Sequence, residues 1–284
     1  VAEYAEKLYK NWYLATLSSQ WTMLVADELS KSSALAGIPQ QADFYKNYVK
    51  PIAASGSRAY VIISDALRYE VAVELTGQLI RETKGSAKIS AMQATFPSAT
   101  KFGMAALLPH SQLQLTDDGK VLCDGNSTEG TAAREKILAT QHPQNVAIAY
   151  KALLAMTKEE RQKAVANAQV VYIYHNAIDA IGDKAVTEDE VFDACEEAIV
   201  ELKNLVRIIV NTMNGTNILI TADHGFLYSY KPLDESDKAE KSFASGHIQE
   251  LDRRYVLADG DCTAEHMLKI PMTHLCSDLA GFTP

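Results

Sequence analysis

Val61–Glu70, which reads VIISDALRYE, is the stretch that most limits what this chain can become. β-Forming residues run up to Ser64–Asp65, and a helical pattern begins at once behind them. A buried strand that breaks directly into a helix carries its last polar residue, here Asp65, to the C-terminal edge of a sheet, where α/β enzymes bind ligands. The same arrangement recurs along the chain. Strands are predicted over 58–66, Ala87–Gln93, Asn145–Tyr150, Gln169–Tyr174 and Asn217–Ala222, with a late one at Arg253–Leu257. Helical patterns fall between them, over Leu67–Thr83, from about Thr100, through Leu138, to about Asn167, and over Thr187–Met213, where Thr187–Glu190 reads as a capping box. This alternation predicts an α/β fold, a layered and mostly parallel central sheet with helices on both faces. Residues 1–57 are helical and polar-amphipathic, with Tyr4, Leu8, Trp12 and Leu17 at roughly helical spacing. They carry no recognisable chemistry and are expected to be a helical lead-in or part of a preceding domain, with the principal domain over 58–284.

Charge and apolar content narrow the function. A formal charge of −9 leaves no basic footprint over the whole chain, which argues against a dedicated nucleic-acid binder but not against an enzyme that cuts phosphoesters at a local site. No apolar run approaches the roughly 20 residues a transmembrane helix needs. The cysteines Cys123, Cys195, Cys262 and Cys276 are widely spaced and form no CxxC pair, as expected of free thiols in a reducing, cytoplasmic setting. The chain opens on Val1 rather than methionine and is expected to be part of a longer protein.

Polar groups cluster just beyond the predicted strands: Asp65, Thr95, His175 with Asp179 and Asp183, and Asp223 with His224. Strand ends of one parallel sheet lie side by side, so these groups can meet. Carboxylates and imidazoles together suit Zn²⁺, Mn²⁺ or a similar divalent ion. Two such ions can clamp the oxygens of a phosphoryl group, and a hydroxyl beside one becomes a nucleophile. Each residue also has a purely structural use. Asp65 and Thr95 fit helix caps, Asp179 and Asp183 fit solvated acids on one helical face, and His175 fits a hydrogen-bonded residue at a strand end. Arg68 and Lys101 are candidate phosphate contacts.

The segments ISDALRYE, TFPSATKFGMAALLPH, YHNAIDAIGD and ITADHGFLY resemble the alkaline phosphatase superfamily, and within it the PglZ family of BREX and phage-growth-limitation defence systems. The resemblance covers about residues 58–284, with the motifs in the family's order. It implies an alkaline-phosphatase-like fold and a metal-dependent phosphoester hydrolase, mono- or diesterase. The implied roles are position by position. Asp65 resembles a metal-binding aspartate, and Thr95, in TFPS, resembles a metal-bound nucleophilic threonine, with Ser98 or Thr100 as alternatives if the register differs. Asp223 and His224 resemble the pair that completes the first metal site. Asp179 and Asp183 resemble a D-x-x-G-H motif for a second metal. Asp183 stands where the superfamily usually has histidine, and His247 and His274 are the late histidines available as a further ligand; the family's HGG motif is expected just beyond Pro284. The cofactor implied is one or two divalent ions, Zn²⁺ foremost with Mn²⁺ or Mg²⁺ as alternatives. The partners implied are other BREX components, including the DNA methyltransferase, and a phosphoester substrate such as nucleic acid or nucleotide, with no membrane. The altered second site also admits a scaffold or a phosphate- or nucleotide-sensing module.

Overall fold

The computed structural model describes residues 2–182, 191–226, 247–252, 255–259 and 268–279. Its organising element is β1 (Ala59–Ser64), all six residues of which are buried. A strand with no polar face needs neighbours on both edges and cover on both faces, and β1 has them. It pairs in parallel with β6 (Val170–His175) on one side and β7 (Asn217–Thr221) on the other, and β5 (Val146–Ala149) adds to β6, giving the order β5-β6-β1-β7. After β1 the chain leaves for the far edge, returns as β6 beside β1, and then crosses to the other side as β7. The ends of β6 and β7 therefore flank the end of β1, in a register that sets Ser64 against His175 and Ile63 against Thr221.

The two faces of the sheet bury different sets of side chains, as the two-residue period of a strand requires. Val61, Ile63 and Tyr172 join Phe102, Leu107, Leu115 and Leu138 on one face. Tyr60, Ile62, Val171 and Ile173 join Leu75, Leu153, Leu202 and Ile209 on the other. That second face is covered by α3 (Tyr69–Glu82) and α9 (Val191–Met213), which buries Ala194, Ala198, Leu202, Leu205 and Ile209 at helical spacing. The first face carries α4 (Thr100–Ala106) and α5 (Gly130–Ala139). The remaining helices are short: α6 (Tyr150–Ala155), α7 (Lys158–Val165), begun by a capping box on Thr157 and Glu160, and α8 (Asp179–Gly182). A hairpin of β2 (Leu113–Leu115) and β3 (Val121–Cys123) lies in a small sheet with β4 (Asn126–Ser127) and β10 (Asp278–Leu279). β8 (His247–Leu251) and β9 (Val256–Asp259) form a separate antiparallel pair, the predicted late strand beginning at Val256.

Upstream of β1, Ala2–Lys7, a π-helical Leu8–Leu14 and Ala15–Ser32 form one helical run, α1. Its large apolar residues, Trp12 and Trp21 among them, are mostly exposed, and only Val25 and Leu29 are buried along Ala15–Ser32. The next segment, ending in α2 (Tyr45–Val49 continuing as Lys50–Ala54), differs: Phe44, Tyr45 and Val49 pack into the same core as Val61 and Ile63.

Two local readings of the sequence change. Ala87–Gln93 is not a strand. Both edges of β1 are taken by β6 and β7, and the segment makes only an isolated parallel bridge from Gln93 to Gln40. The helix after β1 starts at Tyr69 rather than Leu67, because Ala66 adopts a left-handed φ of 61° and Arg68 is extended. The capping-box reading of Thr187–Glu190 falls outside the described residues.

Candidate metal centre

Asp65 follows the last residue of β1, and its backbone N–H donates to the carbonyl of His175 at 2.8 Å, which fixes it at the β1–β6 strand end. The left-handed turn at Ala66, which costs an L-residue about 1–2 kcal/mol, aims the Ala66 N–H at Asp223 Oδ1, 3.2 Å away. Asp223 and His224 lie just past β7. Although every residue of β7 is only half-buried, Asp223 is fully buried and His224 nearly so. One ligand atom each from Asp65, Asp223 and His224 lie within 4.8 Å of one another.

The imidazole orientation follows from its partners. His224 Nδ1 lies 3.0 Å from the Gly225 carbonyl, which can only accept, so Nδ1 carries the hydrogen and Nε2 keeps a lone pair in the neutral ring. That lone pair faces Asp65 Oδ1 at 3.4 Å, Asp223 Oδ2 at 3.6 Å and Asp179 Oδ1 at 4.0 Å, and it accepts from the Thr100 hydroxyl at 3.0 Å. Asp65 Oδ1 and Asp223 Oδ2 are buried without a hydrogen-bond partner. Buried acceptors left facing one another are costly unless a proton or a cation sits between them. Without a cation, Asp65 responds by holding its proton. Burial, then the charges of Asp223 and Asp179, push its pKa up to about 9, and the Arg134 charge opposes them. The spacing also suits an ion: two ligands about 2.0 Å from a tetrahedral centre stand roughly 3.3 Å apart. The residues present therefore fit a divalent cation held by two carboxylates and a neutral imidazole, with a hydroxyl beside it.

Residues 44–278 match the family described as BREX system PglZ alkaline phosphatase-like domain. The chain belongs to the PglZ family. It is 37% identical over 276 residues, 97% of this chain, to the alkaline phosphatase-like protein PglZ of Bacillus cereus (strain H3081.97), of which it covers 32%. It is 41% identical over 260 residues, 90% of this chain, to the alkaline phosphatase-like protein BrxZ of Escherichia coli O9:H4 (strain HS), of which it covers 30%. The chain thus spans about a third of the length of the curated relatives it matches.

Within this PglZ domain the residues singled out by sequence divide clearly. Asp65, Asp223 and His224 come together, and Asp179, from α8, stands at their margin. Thr95 is buried nearby in the chain, but its hydroxyl donates to the Pro97 carbonyl at 3.2 Å, and it is Thr100, the alternative nucleophile, that reaches His224. Asp183 lies outside the described residues. His175 is a buried structural residue: Nδ1 accepts from Ser64 Oγ at 2.9 Å, Nε2–H donates to Glu201 at 2.7 Å, and the ring meets Tyr150 edge-on. Burial lowers its pKa against the pull of Glu201. His274 Nδ1 is bonded to Ser33 Oγ at 2.7 Å, and His247 lies in β8. Arg68 pairs with Glu70 and sits over Phe226; Lys101 pairs with Glu250 and donates to the Gly119 carbonyl. Among the described residues no helix is long and apolar enough to cross a membrane.

Two residues escaped sequence reasoning. Arg134, on α5, lies 4.6 Å from the centre of the Tyr174 ring and donates from Nε to the Thr128 carbonyl at 2.8 Å, close enough for its charge to bear on Asp65. Gln41, upstream of β1, reaches the Asp223 backbone. Neither sits in a motif, and nothing in a single sequence marks a lone Arg on a helix or a Gln in a polar segment.

Proposed function

We propose that this domain is the hydrolytic centre of a metal-dependent phosphoester hydrolase, mono- or diesterase, within a BREX anti-phage system. The observation that carries the reading is the lone pair of His224 Nε2, surrounded by two unpartnered buried carboxylate oxygens and the Thr100 hydroxyl. Asp65, Asp223 and His224 would hold the cation, Zn²⁺ by the nature of the donors with Mn²⁺ or Mg²⁺ as alternatives, and Asp179 with Asp183 would serve a second. A cation bound there eases ionisation of a neighbouring hydroxyl and draws charge from phosphoryl oxygens. The chain's own residues supply the rest. Thr100, whose hydroxyl lies 3.0 Å from His224 Nε2 and so beside the cation that this nitrogen would hold, is the nucleophile in preference to Thr95, whose hydroxyl is turned to Pro97. Asp65 and Asp223 hold the imidazole side of the site at fixed spacing, and Arg134, whose charge bears on Asp65, can offset an incoming phosphoryl charge. Cytoplasmic location and partnership with the BREX DNA methyltransferase belong to the same proposal.

The test is hydrolysis of p-nitrophenyl phosphate and its bis-ester with added Zn²⁺ or Mn²⁺. Thr100→Ala is expected to lose at least about 10²-fold in kcat, with Thr95→Ala within tenfold of wild type. Equal activity in the two variants, or a larger loss in Thr95→Ala, sinks the nucleophile assignment. A second reading, a phosphate- or nucleotide-sensing or scaffolding module, is favoured by Asp183 at the superfamily's histidine position. Elemental analysis separates the two: a metal-free protein whose Asp65→Ala variant still supports phage defence means the second.

A further inference from the structure

Asp223 and His224 are buried at the end of an outer strand that is itself half-buried and, among the described residues, paired on one side only. Their position therefore needs a support that β7 does not provide. Gln41, 2% exposed, supplies it from the segment before β1. Its Nε2 donates to the carbonyls of Ala222 at 2.9 Å and Asp223 at 2.7 Å, and its Oε1 accepts from the Thr95 N–H at 3.1 Å. These bonds use both amide hydrogens and one oxygen lone pair, so the side chain can point only one way: nitrogen to the carbonyls, oxygen to the N–H. The backbone is fixed as well. Gln41 N–H donates to the Gln93 carbonyl at 3.0 Å and Gln93 N–H to the Pro39 carbonyl at 2.8 Å, anchoring Gln41 to the residue two before Thr95. α4 packs closely on the same peptide. A Cβ at Gly103 would come within 2.2 Å of the Asp223 carbonyl oxygen, so no side chain is tolerated there without displacing the Asp223 backbone.

We propose that Gln41 is a positioning residue that couples the Asp223–His224 arm of the cation site to the 95–100 segment that bears Thr100. The inference rests on the reading of Asp65, Asp223 and His224 as a cation site. One neutral amide ties the peptide that sets two ligands to the loop that sets the nucleophile, so ordering either end orders the other. A cation bound by Asp223 and His224 should stiffen the 93–100 loop, and loss of the amide should uncouple them. The ligands would still be present, but their spacing would no longer be fixed.

The test uses the full-length protein with Gln41→Met, which keeps the volume and removes all three bonds, and Gln41→Glu, which keeps an acceptor for Thr95 but turns lone pairs toward two carbonyls. Competition with a chromophoric chelator reads the Zn²⁺ and Mn²⁺ dissociation constants, which are expected to rise about 10–100-fold in both variants, as for other residues that orient metal ligands. In the diester assay kcat, referred to the folded fraction measured by circular dichroism, is expected to fall by at least about tenfold with KM within threefold; a weaker cation affinity in that same folded fraction is what a general loss of fold would not give. Amide hydrogen exchange in the wild type, with and without Zn²⁺, is the companion measurement and needs no variant to fold: Zn²⁺ should slow exchange across 93–100. A folded Gln41→Met protein with wild-type cation affinity and kcat overturns the inference, as does a wild type whose 93–100 amides ignore bound Zn²⁺. A wild type that binds neither ion overturns the cation-site reading, and this inference with it.

Discussion

Asp65→Asn should make the metal-free protein more stable while abolishing its response to cations. Asp65 and Asp223 offer oxygens within a cluster no wider than 4.8 Å, both buried and both without a partner on one oxygen. Two unit charges 4.8 Å apart at an effective dielectric of about 20 repel by roughly 3.5 kcal/mol. The folded protein avoids that repulsion by keeping a proton on Asp65, whose pKa rises from its usual 3.8 to about 9. The sign follows from proton counting. Between these values the folded state holds a proton that the unfolded state has released, so stability falls as pH rises, by about 1.4 kcal/mol per pH unit for a single group. Below the unfolded pKa the penalty is absent, and above about 9 it is complete. Asparagine has the same shape and never ionises. In urea unfolding with EDTA at pH 7, Asp65→Asn should therefore be more stable than wild type by about 2–4 kcal/mol, and the difference should widen from pH 5 to pH 8.

Adding Zn²⁺ or Mn²⁺ should reverse the ranking. A ligand at about 1,000 times its Kd stabilises the wild type by roughly 4 kcal/mol, and the variant, with one carboxylate gone, should gain little. An Asp65→Asn protein that is less stable than wild type in EDTA, by the same margin at every pH, would mean that Asp65 is satisfied without a cation and would refute the argument.

Two further substitutions probe the surroundings. His175→Gln breaks the buried Ser64–His175–Glu201 chain and should cost about 2–3 kcal/mol in urea unfolding, yet leave cation affinity within threefold, since His175 is not a ligand. Arg134→Met removes the one positive charge that lowers the pKa of Asp65; it should tighten Zn²⁺ binding several-fold in chelator competition while weakening competitive inhibition by inorganic phosphate about tenfold.

The parts of this fold that were legible in the sequence are those written in local pattern. β1, β6 and β7 are apolar runs with no polar face, and each ends on a residue that breaks the run, so their type, their extent to within a residue or two and the gathering of Asp65, Asp223 and His224 at one edge could be read directly. Ala87–Gln93 alternates like a strand but finds no place beside β1, whose two edges β6 and β7 occupy, and vacancy beside β1 is a property of the whole topology that no window of residues contains. Which hydroxyl meets His224 was illegible for a similar reason. TFPSAT offers three hydroxyls within six residues, and which one meets His224 depends on where α4 begins; it begins at Thr100. Gln41 was invisible because its meaning lies in contacts 54 and 182 residues away.

The character of the supporting groups argues for a site built around a cation rather than a buried acid cluster that happens to resemble one. Three carboxylates approach one imidazole lone pair, an arrangement that a stabilising design would neutralise with paired arginine or lysine. Lys101 is instead committed to Glu250 and Arg68 to Glu70, away from the cluster. The groups that fix the ligands in place are uncharged: the Gln41 amide, the Ala66 N–H and the bare Cα of Gly103. Neutral supports hold geometry without competing for the carboxylates, whereas a cationic one would occupy the position that a metal ion takes. Among the described residues the exception is Arg134, which stands on the Tyr174 side and is only half-buried. Its charge lowers the Asp65 pKa less than burial and the two neighbouring acids raise it, so the residual field at the cluster stays negative in the absence of a cation. Asp65 thus remains protonated near neutral pH until a divalent ion displaces that proton, which makes cation affinity rise with pH, and a tenfold gain for each pH unit between about 6 and 8 is the expected signature of one proton released per ion bound.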